Sequence, residues 1–265
     1  MDYRTDTDNF LHTNPSLYLA FNGEHDSSMA HFIHTLLIEY KAGKKVLDVG
    51  SGPGREVAYL NSVGYEAVGL DNSEAMLSWA REHYPGSKFV LGDQSDFSLQ
   101  QMFDALYCVG STFLYNFTNE EVLASLQCFR KHLRPGGLLY LDMRNAAFFL
   151  TKEGQCWLTE ELVEQREANG TTVSLKTRFS IDLAAQMLER DYCWTVAGYD
   201  PIEEHLRHRL LFPQELAHYL AVSGFRLVQL FDKPAPHVDS FDRDRPLTYS
   251  HDLLGTRMQI IAQAL

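Results

Sequence analysis

The run Lys45-Val46-Leu47-Asp48-Val49 passes directly into Gly50-Ser51-Gly52-Pro53-Gly54 and then into a helical pattern from Arg55 to Val63, closed by Gly64. A short apolar strand that turns on glycines into a helix commits this part of the chain to a strand–helix unit. The same rhythm then repeats. Strands are expected at 65–70, 88–91, 103–109 and 138–143, with helices at 73–84 and 119–133. Ser73 and Asn119 serve as caps, and Pro85-Gly86 and Pro135-Gly136-Gly137 as stops. Strands spaced by such helices build a parallel sheet covered on both faces. A further helix from Ser27 or Ser28 to Tyr40 carries the apolar stripe Met29, Phe32, Ile33, Leu36, Leu37 and Tyr40. Residues 1–27 read as a polar, loop-rich lead with scattered aromatics: Tyr3, Phe10, Tyr18 and Phe21.

After about residue 150 the period shortens. Thr172 to Ile181 sets Val173, Leu175, Phe179 and Ile181 on one face, and 186–196 and 203–212 alternate in the same way. With Ala168-Asn169-Gly170 as a hairpin turn, three or four antiparallel strands are expected here as an inserted lid. The earlier scheme resumes with a helix at 213–223 and a strand at 225–231. A Pro- and Asp-rich loop covers 232–255, and a last strand begins at Arg257.

The glycine turn carries the first chemistry. Glycines here let the backbone approach a ligand at a helix N-terminus. The spacing Gly50-x-Gly52-x-Gly54 departs from the dinucleotide fingerprint at its third glycine. Asp48 lies inside the strand, where it suits a ligand bearing an ammonium group or needing an ordered water network. Both features disfavour a nicotinamide-dependent oxidoreductase. Asp71 ends the next strand, a place where carboxylates accept ribose hydroxyls. Asp93, in Gly92-Asp93-Gln94, could accept an exocyclic adenine amine.

The pieces VLDVGSGPG (46–54), VGLDNSEAML (68–77), FVLGDQSDF (89–97), FDALYCVGSTF (103–113) and LRPGGLLYLDMRN (133–145) occur in the order found in class I S-adenosylmethionine-dependent methyltransferases, which this sequence resembles. RMQIIAQ (257–263) is similar to the antiparallel last strand of that family. The resemblance implies an α/β fold: a Rossmann-like, seven-stranded, mostly parallel sheet with helices on both faces and an inserted antiparallel β lid. It implies S-adenosyl-L-methionine as cofactor. Gly50, Gly52 and Gly54 would line its methionine and ribose parts, Asp71 its ribose diol and Asp93 its adenine amine. Asn72 and Met76 would flank the adenine, and Asp48, Gly92, Gln94 and Val109 complete the expected set. One domain over 1–265 is expected, with a cover segment and helix at 1–43 and a cofactor-binding core at 44–150. The lid takes 151–212, and the end of the core sheet 213–265.

Two stretches, CVGSTFLY (108–115) and LDMRN (141–145), are similar to the glycine and glycine/sarcosine N-methyltransferases. In that group an Arg after strand five binds the substrate carboxylate, which implies this role for Arg144. A guanidinium fork matches a carboxylate well. Ser111 and Tyr115 stand where that group has an Asn and a His, so a larger amino acid, an amino sugar or an aromatic metabolite stays open as acceptor. Tyr18, Tyr115, Arg144 and His205 are the candidate catalytic residues. Arg178 is expected to face solvent. Trp157, Trp194, Tyr192 and Phe179 form either the core of the lid or an aromatic roof over the substrate.

Composition narrows the partners. With 45% hydrophobic and 22% charged residues the chain is ordinary for a globular protein. No apolar run is long enough for a membrane span, and the acidic opening MDYRTDTDNF does not read as a secretory signal. A net charge of −12 and basic clusters as short as Lys44-Lys45 and Arg130-Lys131-His132 disfavour nucleic acid. Cys108, Cys128, Cys156 and Cys193 form no CxxC pair and read as reduced thiols of a cytoplasmic protein. Pairs such as His31/His34 and His205/His208 lack a third partner at metal-ligand spacing, so no metal is expected. The aromatics of the lead are compatible with a homodimer. The expected activity is methyl transfer to a small molecule, an amine nitrogen first. O- or C-methylation of a carboxylate, sugar or aromatic ring, and a non-catalytic cofactor-binding partner subunit, are the alternatives.

Overall fold

The computed structural model of the chain describes residues 9–23, 27–168, 170–236, 238–239 and 246–265. Tyr3, and Asn169 of the expected hairpin turn, lie outside them. The elements in chain order are α1 (Phe10–Thr13), α2 (Pro15–Phe21), α3 (Ser28–Glu39), β1 (Lys45–Val49), α4 (Arg55–Ser62), β2 (Glu66–Asp71), α5 (Glu74–His83), β3 (Lys88–Leu91) and β4 (Phe103–Cys108). They continue with α6 (Asn119–His132), β5 (Leu133–Arg144), α7 (Lys152–Trp157), β6 (Leu162–Ala168), β7 (Thr171–Asp182), β8 (Met187–Val196) and β9 (Ile202–Arg209). The last are α8 (Pro213–Val222), β10 (Phe225–Phe231) and β11 (Arg257–Ala264). Short 3₁₀ turns at Thr112–Tyr115 and Ala146–Leu150 follow β4 and β5.

Seven strands form one sheet in the order β10-β11-β5-β4-β1-β2-β3. β1 pairs in parallel with β2 and β4, and β11 runs antiparallel between β5 and β10. The order reverses at β1, so the ends of β1, β2 and β4 open onto a crevice where ligands of such sheets bind. Its two faces are covered as the sequence implied. α6 and α8 bury Val122, Leu126, Phe129, Leu216 and Leu220 against one face. α3, α4 and α5 bury Phe32, Leu36, Val57, Leu60 and Leu77 against the other.

β6, β7, β8 and β9 form a separate antiparallel sheet. Cross-strand register puts Leu175, Trp194 and Ile202 on one face, with Phe179, Arg190 and Leu206 further along it. The lead segment is helical rather than loop-like. Phe10 and Leu17 are fully buried against Trp194 and Val173 of this sheet, and Phe10 and Phe21 meet the Trp194 ring edge-on at 5.4 and 5.2 Å. The Phe10 ring is therefore spent inside the molecule and gives no grounds for a dimer face.

Two local expectations are corrected. Thr118, not Asn119, caps α6: its hydroxyl accepts from the Glu121 N–H at 3.2 Å while Glu121 accepts from the Thr118 N–H at 2.9 Å, a reciprocal pair. β5 begins at Leu133, because Leu133 already pairs with Phe103 and the Pro-Gly-Gly stretch is carried within the strand. β6 is the fourth of the three or four strands expected, entering the hairpin turn at 168–170, while α7 carries no strong apolar period and was not expected. No helix among the described residues is long and apolar enough to cross a membrane.

Candidate active site

The glycine turn lies at the carboxyl end of β1. Gly50, Gly52 and Gly54 all have left-handed φ, at +80°, +51° and +80°. They differ in what surrounds them. A Cβ on Gly50 would meet the Thr112 side chain at 2.5 Å, and one on Gly54 the Phe89 ring at 2.5 Å. A Cβ on Gly52 would meet nothing within 4 Å. Gly50 and Gly54 are thus packing glycines, and Gly52 faces open space.

Three carboxylates stand around that space. Asp48 is buried, and its Oδ1 has no hydrogen-bond partner. Burial, and then the nearby Glu56 carboxylate, hold the Asp48 carboxyl well above the usual range. Asp71 accepts the Gly52 N–H on Oδ2 and the Ser73 N–H on Oδ1, each at 2.8 Å. It therefore fixes the turn, a role beyond the ribose contact expected of it. Burial raises its pKa, and the backbone donors oppose the rise. Glu56, buried in the first turn of α4, is the third. The Tyr18 hydroxyl feels all three carboxylates, and burial raises its pKa further than any of them does. Buried Ser51 Oγ and Gln94 Oε1 are also unpartnered.

The outer cofactor candidates are placed as follows. Asn72 is exposed and Met76 is buried, on either side of Ser73, whose hydroxyl caps α5. Gly92 donates its N–H to Asp71 O at 3.0 Å. Asp93 is exposed, with Oδ1 taken by Ser95. Gln94 donates to Thr112 O at 3.2 Å, and Val109 lies partly buried after β4. An ammonium fits the bare, buried Asp48 oxygen, and the open cradle at Gly52 leaves room for a chain beside it.

The second half of the site lies where the 3₁₀ turn after β4 and the end of β5 meet the antiparallel sheet. Arg190 of β8 donates to Tyr192 Oη at 3.1 Å, Tyr115 Oη at 3.3 Å and His208 Nε2 at 3.0 Å. The Arg144 guanidinium lies 5.4 Å over the Phe179 ring, and Phe179 is the cross-strand neighbour of Arg190. Burial, and then Arg190, lower the Arg144 pKa to about 10. His12 of α1 completes the group, 5.6 Å from the Tyr18 ring and 6.3 Å from the Tyr115 ring. Burial and Arg190 lower its pKa to about 4. α1 and α2 bridge the two halves. The Ser73 hydroxyl donates to His12 O at 3.0 Å, and Glu204 of β9 accepts the Phe10 N–H and, at 2.6 Å, the Trp194 indole N–H.

Residues 46–137 match the family described as "Methyltransferase domain". They form a class I S-adenosylmethionine-dependent methyltransferase domain. The chain is 34% identical over 97 residues to the dTDP-3-amino-3,4,6-trideoxy-alpha-D-glucopyranose N,N-dimethyltransferase of Streptomyces venezuelae, covering 37% of this chain and 41% of that one. It is 33% identical over 125 residues to the glycine/sarcosine N-methyltransferase of Aphanothece halophytica, covering 45% and 47%. The chain thus spans less than half the length of either relative. The structure of DesVI from Streptomyces venezuelae superposes with a TM-score of 0.72 at 20% identity, over 94% of this chain and 96% of that one. That likeness extends the fold beyond the matched domain and includes both sheets.

Of the expected catalytic residues, Tyr18, Tyr115 and Arg144 come together, but His205 does not join them. His205 alternates to the outer face of β9, where it is exposed and bonded to Asp191 at 2.7 Å and Glu189 at 2.8 Å. His208, on the opposite face, occupies the site instead. Arg178 is exposed and pairs with Glu161, as expected. Ser111 is spent on scaffold: its hydroxyl accepts from the Arg144 N–H at 3.0 Å and from Arg257 at 2.9 Å. Arg190, His208, Tyr192 and His12 were missed as site residues. The alternation of β8 contained the signal for Arg190, since it shares a face with Leu188, Tyr192 and Trp194.

Proposed function

We propose that this protein transfers a methyl group from S-adenosyl-L-methionine to an amine nitrogen of a small molecule. The open space at Gly52, together with the unpartnered oxygen of buried Asp48 at the end of the strand that leads into the turn, carries the reading. The amino-sugar and glycine/sarcosine N-methyltransferase relatives support the amine.

Asp48 takes the cofactor's ammonium, Gly50 to Gly54 its chain, Asp71 the ribose hydroxyls and Asp93 the adenine amine, with Asn72, Met76, Gly92, Gln94 and Val109 around them. When bound, the cofactor supplies an electrophilic methyl group, and the protein's part is to orient an attacking lone pair and exclude water. Tyr18 closes the cofactor side, and Tyr115 and Arg144 position the acceptor. Asn9 donates to His12 Nδ1 at 2.6 Å, so the neutral ring carries its proton on Nε2 and is a donor rather than a base. A neutral amine suits such a site, because its lone pair attacks without a strong base. One domain with the antiparallel sheet as an inserted cover, in the reducing cytoplasm, completes the reading.

The test is calorimetric titration with S-adenosylhomocysteine and NAD, followed by methyl transfer to a panel of amines, amino acids and phenols. Binding of the first ligand alone, with transfer to amines, is expected. NAD binding alone, or transfer confined to phenols, overturns the proposal.

A further inference from the structure

The buried cations at the acceptor end divide into two kinds. Arg257 forks onto the Asp142 carboxylate, and Arg209 bonds to Glu215 at 3.0 Å. Both therefore hold an acid. Arg144 and Arg190 hold none among the described residues, and their Nε atoms are buried without partners. Arg190 weighs electrostatically on Arg144, and the neutral ring of Phe179 lies beneath the Arg144 guanidinium and across the strand from Arg190, where a carboxylate could have stood. Two buried cations, neither holding an acid, are costly unless a counter-charge arrives.

The hydrogen bonds around them point the same way. His208 Nε2 accepts from Arg190, so its neutral ring carries the proton on Nδ1, which is buried and unpartnered. Burial, then Arg190 and Arg144, push the His208 pKa well below its ordinary value, so the ring stays neutral. The Tyr115 and Tyr192 hydroxyls accept from Arg190 and keep their own protons to give. His12 likewise keeps Nε2–H. The groups left over in this cluster are therefore donors or cations. A monoanion such as a lone carboxylate would neutralise only one of the two guanidiniums.

We infer that Arg144 and Arg190 together anchor a doubly charged acidic group of the methyl acceptor, so the substrate is an amine carrying a dianion, either two carboxylates or a phosphate. This rests on the methyltransferase reading for the word acceptor, though not for the anion site itself. Arg190 comes from the inserted sheet and Arg144 from the parallel sheet, so the anchor forms only where the two sheets meet.

The experiment measures binding of succinate, inorganic phosphate and acetate at fixed ionic strength, with and without saturating S-adenosylhomocysteine. Wild type should bind succinate or phosphate at least tenfold more tightly than acetate, and whichever is preferred names the source of the charge. The preference should fall below threefold in both Arg144→Gln and Arg190→Gln, while affinity for S-adenosylhomocysteine stays within twofold. If a Gln variant fails to fold, Arg144→Lys and Arg190→Lys keep charge and bulk but lose the planar fork, and should weaken the preferred dianion at least fivefold. Equal binding of acetate and the dianions by wild type, or an undiminished preference in the variants, overturns the inference. Failure of S-adenosylhomocysteine to bind counts against the methyltransferase reading alone, since the anion preference is read without it as well.

Discussion

Gly52→Ala and Gly54→Ala place the same methyl group on two glycines with left-handed backbone, φ +51° and +80°. An L-residue there costs about 1–2 kcal/mol. At Gly52 the cost stops there, because the new Cβ meets nothing within 4 Å. At Gly54 it meets the Phe89 ring at 2.5 Å and the Ala80 Cβ at 3.1 Å, and overpacking of this kind adds about 1–3 kcal/mol. With about 2–4 °C of Tm per kcal/mol in a protein near this size, Gly52→Ala should lose about 2–8 °C and Gly54→Ala about 4–20 °C. Ligand binding should rank the other way for its size of fold damage. Gly52→Ala fills the space assigned to the cofactor, so its Kd for S-adenosylhomocysteine should rise at least tenfold at a temperature where it is fully folded. The assays are thermal melts without ligand and calorimetry at 20 °C or below. Wild-type affinity in folded Gly52→Ala would refute the assignment of that open space, whatever the melts show.

Other consequences are open to measurement. Asp71→Asn leaves the Gly52 or the Ser73 N–H without its acceptor, so it should cost about 1–3 kcal/mol in denaturant melts and weaken S-adenosylhomocysteine tenfold or more. Unchanged stability would show that the turn holds itself. Arg257→Gln strips the buried Asp142 carboxylate of its fork and should cost about 3–5 kcal/mol, and a loss below 1 kcal/mol would contradict the burial seen here. Asp48, whose folded pKa is raised, holds a proton in the native state that the unfolded chain gives up above about pH 4. Ligand-free stability should therefore fall with rising pH through its folded pKa, and Asp48→Asn should gain on wild type over that window. A gap that shrinks as pH rises contradicts the assignment. His12 has the opposite sign: its pKa of about 4 lies below the unfolded value near 6.5. It should cost stability as pH falls from about 6.5 to 4, and His12→Gln should flatten that limb of the melts.

The parallel sheet was legible because each strand and helix carries its own period. The stripe of α3, the cap of α5 at Ser73 and the glycine turn are local signals, and local packing honours them. The capping box of α6 was also present, in Thr118 and Glu121, and was displaced by the more familiar choice of Asn119. The lead could not be read as helical, since α1 and α2 are too short to be stable alone and owe their form to Trp194, remote in sequence. The site was half legible. Its carboxylates sit at strand ends fixed by the glycine turn, whereas Arg190 lies between Glu189 and Asp191 and reads as one of a run of solvated charges. Burial of Arg190 depends on Tyr115, which comes from the 3₁₀ turn after β4. His205 was an error that alternation could have caught: Glu204, Leu206 and His208 share one face of β9, and His205 takes the other.

The two sheets divide the work of adaptation. The glycine turn and its carboxylates belong to the ends of β1 and β2 and the first turn of α4, and on the proposed reading substitutions there strike cofactor binding. In the proposed function the acceptor, by contrast, meets alternate positions along β7, β8 and β9, such as Phe179, Arg190, Tyr192 and His208, whose strand neighbours point to the other face. A lineage of such enzymes can thus change clientele by recolouring one face of a small sheet, position by position, without revisiting the donor chamber. The same property offers an engineer a short palette of residues for retargeting.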